Sequence, residues 1–205
     1  ALGQQTYQNP VIANSLPDPS IVKAADGYYC LFATEDDYNV PIYRSHNLVD
    51  WKKTGTAFRD DTRPTFLQDG SVWPPDINLI GGQYVLYYSL SKWGEGTNNG
   101  IGVATAERPE SPYTAGKLFT SGEIGVENSI DPFFIADEGR NYLFWGAFNG
   151  IYVISLEDGL SLKSGTSKTK VINKTVEASS IIKHGDYYYF IGSEGTCCDG
   201  ANSTY

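Results

Sequence analysis

The 205-residue sequence contains no methionine, only two histidines and only three cysteines. His46 and His184 stand in polar settings beside Asn47 and Gly185, so a histidine-built metal site or a nucleophilic triad lacks material, and both read as surface residues. Cys30 and the vicinal pair Cys197-Cys198 cannot all pair within the chain and match no metal-ligand spacing. Cys30 falls in an apolar strand and is expected to be a buried thiol that packs as a small hydrophobe, while the state of the vicinal pair is open. No apolar run approaches the ~18 residues of a membrane-spanning helix. Basic residues are also scarce: fifteen Lys and Arg against twenty-four Asp and Glu leave a net charge of −9. That balance repels nucleic acid and anionic lipid, which excludes both as partners and favours neutral ligands. A start at Ala1 points to removal of the natural initiator, by a signal peptidase or by design, and so to a secreted or periplasmic protein. The triplets Asn173-Lys174-Thr175 and Asn202-Ser203-Thr204 would be glycosylated only in a host with that machinery.

What the chain has in abundance is aromatic and turn-forming residues. Fifteen Tyr, four Trp, twenty-two Gly and ten Pro are the usage of short strands joined by tight turns, so the class is all-β. Four segments repeat a turn leading into an aromatic strand: Gly27-Tyr-Tyr-Cys-Leu-Phe-Ala-Thr34, Gly82-Gln-Tyr-Val-Leu-Tyr-Tyr-Ser89, Arg140-Asn-Tyr-Leu-Phe-Trp-Gly-Ala147 and Asp186-Tyr-Tyr-Tyr-Phe-Ile-Gly-Ser193. They align on Tyr29, Tyr84, Tyr142 and Tyr188, at intervals of roughly 46 to 58 residues, near the length of a four-stranded propeller blade. A second short strand follows the first three, at Pro41 to Ser45, Gly100 to Thr105 and Gly150 to Ser155. Several consecutive antiparallel strands per unit predict a β-propeller, in preference to a β-sandwich with coincidental turn spacing. The fourth unit stops soon after its aromatic strand, so residues 1–205 are expected to form one partial propeller domain of about three and a half blades. A propeller closes only when its first and last blades meet, so the remaining blades of the same protein are expected as a partner, cleaved off, on a second chain or simply not included.

Eleven residues before each landmark tyrosine stand Asp18, Trp73, Asp131 and Glu177, each just ahead of an apolar stretch. The first strand of every blade lines the central channel, so equivalent starting positions should converge at one mouth of it. An Asp before Pro is unremarkable as a turn residue. Three acids at one offset from a repeated landmark are better explained by a shared pocket. Converging carboxylates beside an indole suit a neutral, polyhydroxylated ligand, and glycoside hydrolysis needs one carboxylic acid and a second carboxylate, with a third able to raise the acid's pKa. The spacing singles out these residues without assigning their roles. Tyr38, Trp93 and Phe148 stand on inter-strand loops, where they would line outer sugar subsites unless they pack elsewhere.

At these positions the sequence resembles glycoside hydrolase family 43, five-bladed propeller enzymes that cleave arabinose and xylose linkages with inversion. The resemblance is carried by Pro17-Asp-Pro-Ser-Ile21, Val72-Trp-Pro-Pro-Asp-Ile77, Ser129-Ile-Asp-Pro-Phe133, Val176-Glu-Ala-Ser179 and the tract from Tyr187 to Ser193. It implies that Asp18 is the general base, Asp131 the residue that tunes and orients the acid, and Glu177 the general acid. Trp73 would be a wall of the sugar subsite, with Asp76 supporting the site from behind. Thr196-Cys-Cys-Asp-Gly200, Tyr87 to Ser91 and Trp145 to Ile151 are similar to endo-acting α-1,5-arabinanases, so arabinan is favoured over arabinofuranosidase or xylosidase substrates. Many arabinanases carry His where this chain has Pro17, and Ala where it has Pro74. No residue here reads as a metal ligand. The resemblance implies an axial calcium ion held mainly by a histidine of the fifth blade, outside this sequence. The rival readings are a non-catalytic glycan-binding propeller, and a retaining fructan hydrolase, in which the acid and nucleophile would lie about 5 Å apart rather than the ~6.5 to 9.5 Å of an inverting pair.

Overall fold

The computed structural model describes residues 6–34, 39–110, 112–173 and 175–195. Tyr38, Cys197, Cys198 and Asn202 lie outside the described residues. Four antiparallel sheets follow one another along the chain. The first contains β1 (Ser20–Lys23), β2 (Tyr29–Phe32), β3 (Pro41–Ser45) and β4 (Trp51–Thr56). The second contains β5 (Ser71–Ile80), β6 (Gln83–Ser91), β7 (Gly100–Ala106) and β8 (Thr114–Thr120). After the single helical turn α1 (Ser121–Ile124), the third contains β9 (Phe133–Asp137), β10 (Arg140–Trp145), β11 (Ile151–Leu156) and β12 (Thr169–Ile172). The fourth pairs β13 (Val176–His184) with β14 (Tyr187–Glu194). Spatial order equals sequence order in every sheet, the up-and-down meander of a propeller blade. The chain therefore supplies about three and a half blades of a propeller. All four landmark tyrosines lie on the second strand of their sheets.

The pattern of burial explains why the aromatic strands read as nearly unbroken apolar runs. Side chains of a strand alternate between faces, and β6 is covered on both. Tyr84, Leu86, Tyr88 and Leu90 pack toward the first blade, with Phe32, Ile42 and Phe58. Val85 and Tyr87 pack toward the third, with Phe134, Leu143 and Trp145. The core is thus a pair of large inter-blade layers with a small satellite cluster of Leu31, Ala33 and Tyr43, rather than a single interior. Cys30 is a buried free thiol within the first layer, and His46 and His184 are exposed, as expected. The one helical turn is a local product of sequence: Thr120 and Glu123 form a reciprocal capping box, and Gly125 ends it in the left-handed conformation.

The innermost strands β1, β5, β9 and β13 contact one another in turn. One device recurs between them. A side-chain oxygen on one blade accepts a backbone N–H of the next: Ile77 donates to Ser20 Oγ (3.1 Å), Phe134 to Asp76 Oδ2 (2.7 Å) and Ala178 to Asp131 Oδ2 (3.0 Å). Ser179 stands two residues after Glu177 as Ser20 stands two after Asp18, and its buried Oγ meets no partner among the described residues.

Candidate active site

The ends of the innermost strands open onto a cavity of about 910 Å³. Asp18, Trp73, Asp131, Glu177 and Phe148 all line it, although they come from four sheets and the loop after β10. The four starting positions are not conformationally alike. Asp18 and Asp131 sit two residues ahead of their strands at φ 51° and 59°. Trp73 and Glu177 lie within strands, pair with Ser89 and Ser193, and are each followed by a register shift. An identical offset in sequence therefore meets two local geometries, because the first strands of the second and fourth sheets run farther toward the cavity. Asn128, Phe148 and Ala178 on the same wall also adopt positive φ, the sparsely populated backbone that functional sites tend to hold.

Each acid is positioned by its neighbours. Asp18 is exposed, and Thr34 Oγ1 donates to its Oδ2 at 2.7 Å while Thr34 N bonds the Pro17 carbonyl. Asp131 is fixed from two other blades: its backbone N–H donates to Ser89 Oγ at 2.9 Å, and its Oδ2 accepts from Ala178 N, the peptide that follows Glu177. Glu177 is half-buried and forms an isolated bridge with Ala147. That bridge depends on Gly146, at φ 132°, where a Cβ would lie 2.3 Å from the Gly150 carbonyl oxygen. The next residue but one, Phe148, donates its N–H to Val176 O, lines the cavity and is 44% exposed. Trp73 lies against Trp93 with ring centroids 5.1 Å apart, and Trp93 is 72% exposed, so the pair forms an open aromatic wall.

Unequal burial separates the acids electrostatically. Burial, reinforced by the charges of Asp18 and Glu177 and opposed by the Ala178 N–H bond, pushes Asp131 up to about 8. Burial and then the charge of Asp18 also raise Glu177. Both inner acids are thus shifted toward their protonated forms while Asp18 faces water, the division that general acid–base chemistry requires. A stability consequence follows. Because the folded state holds the Asp131 proton more tightly than the unfolded chain, with its carboxyl near ~4, stability present in acid is lost as pH rises toward about 8. Asp131→Asn mimics the protonated side chain and keeps an oxygen for Ala178. It should flatten the dependence of Tm on pH between about 4 and 8, and leave the variant more stable than the parent at pH 8 by up to a few kcal/mol. Thermal unfolding across that range checks this, and parallel profiles for the two proteins would refute it.

Several residues on the site escaped the sequence reading. Thr34, Ser89 and Ser193 each stand five residues after a landmark tyrosine, so a hydroxyl at a constant offset was the available signal. Lys92, Glu95 and Asn128 also line the cavity from loops whose sequences carry no periodicity, and nothing in the chain order marks them. Asp76 does not line the cavity, consistent with a place behind its wall. Among the described residues no group of three or more His, Cys, Asp or Glu side chains could hold a metal ion. The axial calcium that the resemblance implies would draw its ligands mainly from outside this sequence. No helix among the described residues is long and apolar enough to cross a membrane.

The family model for glycosyl hydrolases family 43 matches residues 7–205. The chain belongs to this family. Two relatives illustrate its similarity. An extracellular exo-α-(1→5)-L-arabinofuranosidase of Cellvibrio japonicus is 32% identical, the match covering 92% of this chain and 61% of that protein. An arabinan endo-1,5-α-L-arabinosidase A of Aspergillus niger is 28% identical, covering 88% and 59%. Among solved structures, the Cellvibrio cellulosa α-L-arabinanase complexed with arabinohexaose matches at a TM-score of 0.78 and 28% identity, over 94% of this chain and 69% of that one. A native Bacillus subtilis arabinanase matches at 0.78 and 25% identity, over 94% and 70%. The chain thus spans about three-fifths of the length of the curated relatives it matches.

Proposed function

We propose that the whole protein of which this chain is part is an inverting glycoside hydrolase acting on α-1,5-linked arabinan, with an internal, endo mode of cleavage. The observation that carries the reading is the convergence of Asp18, Asp131 and Glu177 on one cavity beside the Trp73–Trp93 wall, with the inner acids raised and Asp18 open to solvent. Asp18 takes a proton from water as the water oxygen bonds to the anomeric carbon. The bond from that carbon to the departing sugar oxygen breaks, and Glu177 supplies the proton that this oxygen requires. Asp18 ends protonated and Glu177 ionised, and exchange with solvent resets both. Asp131, through Ala178 N, holds the peptide next to Glu177 and so aims the acid. Trp73 offers an apolar face on which a sugar ring can stack. Names of the arabinan-cleaving relatives support the substrate, and the extracellular relative supports secretion.

The test incubates the whole protein with linear arabinan, short arabino-oligosaccharides and xylan, following reducing ends and the anomeric configuration of the first product. Rapid formation of mixed oligosaccharides from arabinan, with inverted configuration, is expected. Binding of arabinan without new reducing ends would replace the enzyme by a glycan-binding propeller. Retention would point to a nucleophilic carboxylate instead.

A further inference from the structure

Asp76 lies on β5 behind the cavity, and its partners join three blades. Oδ2 accepts from Phe134 N of β9 at 2.7 Å and from Asn78 Nδ2 at 2.9 Å. Oδ1 faces Ser20 Oγ of β1 at 3.5 Å, a long contact reinforced by the bond from Ile77 N to the same hydroxyl at 3.1 Å. The two tied residues are close to the reacting acids along the chain. Ser20 follows Asp18 with only Pro19 between them, and Phe134 follows Asp131 after Pro132 and Phe133. Proline fixes φ near −65°, so each Asp-Pro segment is a stiff tether. A shift of Ser20 or Phe134 is transmitted to the carboxylate instead of being absorbed by the chain.

We propose that Asp76 is a positioning residue for the hydrolytic reaction, a part-buried clasp that holds the Asp18 and Asp131 segments in register across the channel. The inference rests on the hydrolytic reading above. The partners of its carboxylate are a backbone N–H, an amide and a hydroxyl, and burial pushes Asp76 up to about 6 despite those bonds. Burying a carboxylate on uncharged donors alone is a poor way to gain stability. It is well suited to gripping two donors from one oxygen at a fixed geometry. Reacting groups misplaced by about 1 Å can lose about 10² in rate, so alignment across three separate sheets is where such a clasp acts.

The experiment compares steady-state kinetics on arabinan, together with thermal unfolding, for the whole protein and three variants. Asp76→Leu has similar bulk and no acceptor. It should lower kcat by about 10- to 100-fold with KM within about threefold, in protein that is folded at the assay temperature. Asp76→Asn retains an oxygen for Phe134 N and should hold kcat within about threefold of the parent. Ser20→Ala removes one tether only. It should lower kcat by about tenfold in the parent and by much less when added to Asp76→Leu, the non-additivity of residues that act as a unit. If Asp76→Leu does not fold, the Ser20→Ala and Asp76→Asn kinetics decide the matter. Variants that lower Tm while kcat of the folded protein stays at the parent value would show Asp76 to be a structural clasp only, overturning the proposal with the hydrolytic reading intact. A parent protein that binds arabinan and cleaves none overturns both.

Discussion

Glu177→Gln should lower the rate of arabinan cleavage by about 10²-fold or more, the usual contribution of a general acid. An arabinose leaving group departs as a strongly basic alkoxide unless it is protonated. Glutamine fills the same space and offers no transferable proton. Glu177 is suited to the role because burial and the nearby charge of Asp18 raise it, which favours the protonated form that an acid must start from. The same variant should lose far less activity on an aryl arabinoside with an acidic phenol, which can leave without assistance. Its pH profile should also lose the basic limb, since that limb reports ionisation of the acid. Equal loss on both substrates would assign Glu177 to folding or binding instead.

Asp18→Asn should be comparably severe, about 10²- to 10⁴-fold on every substrate including activated ones, because no leaving group can substitute for activation of water. The contrast between the two variants is the informative result. Asp18 is exposed and held by Thr34 Oγ1, so it can face a water molecule without rearrangement. In Asp18→Asn the Thr34 bond can persist, and arabino-oligosaccharide binding should change little. Activity within threefold of the parent would remove Asp18 from the mechanism. An inverting pair also requires about 6.5 to 9.5 Å between the Asp18 and Glu177 carboxyl groups in a sugar complex, to admit the water.

These expectations carry a cost built into the site. Asp131 and Asp76 are part-buried acids whose raised pKa values make the folded state less stable as pH rises. Exchanging them for amides should relieve that penalty. Only at Asp131 should the relief coincide with loss of an ionisable carboxyl that lines the cavity. A stabilised, inactive Asp131→Asn beside an active Asp76→Asn would separate electrostatic tuning from positioning.

Much of the site was legible because a propeller repeats its local structure. The tyrosine landmarks all fell on second strands, and counting back to Asp18, Trp73, Asp131 and Glu177 reached the wall of one cavity. The count hid a real difference. Trp73 and Glu177 lie inside long strands with register shifts, whereas Asp18 and Asp131 precede short ones at positive φ. A register shift arises from how two strands pair, and no single residue announces it. The hydroxyls Thr34, Ser89 and Ser193 were hidden for another reason: small polar residues at strand ends are common, and their partners are on other strands.

The amino-acid order by itself determined the all-β class, the recurrence of an aromatic second strand and the set of acids that line one cavity. Each of these follows from short-range rules: period-two alternation, glycine turns and a repeated landmark. Only the tertiary structure decided which acid is open and which is buried, that Asp131 holds the peptide beside Glu177, and that Asp76 links three blades. Those properties depend on the rotation of one sheet against the next. That rotation is set by the inter-blade layers around Tyr87, Tyr88 and Trp145, whose contacts join residues far apart along the chain.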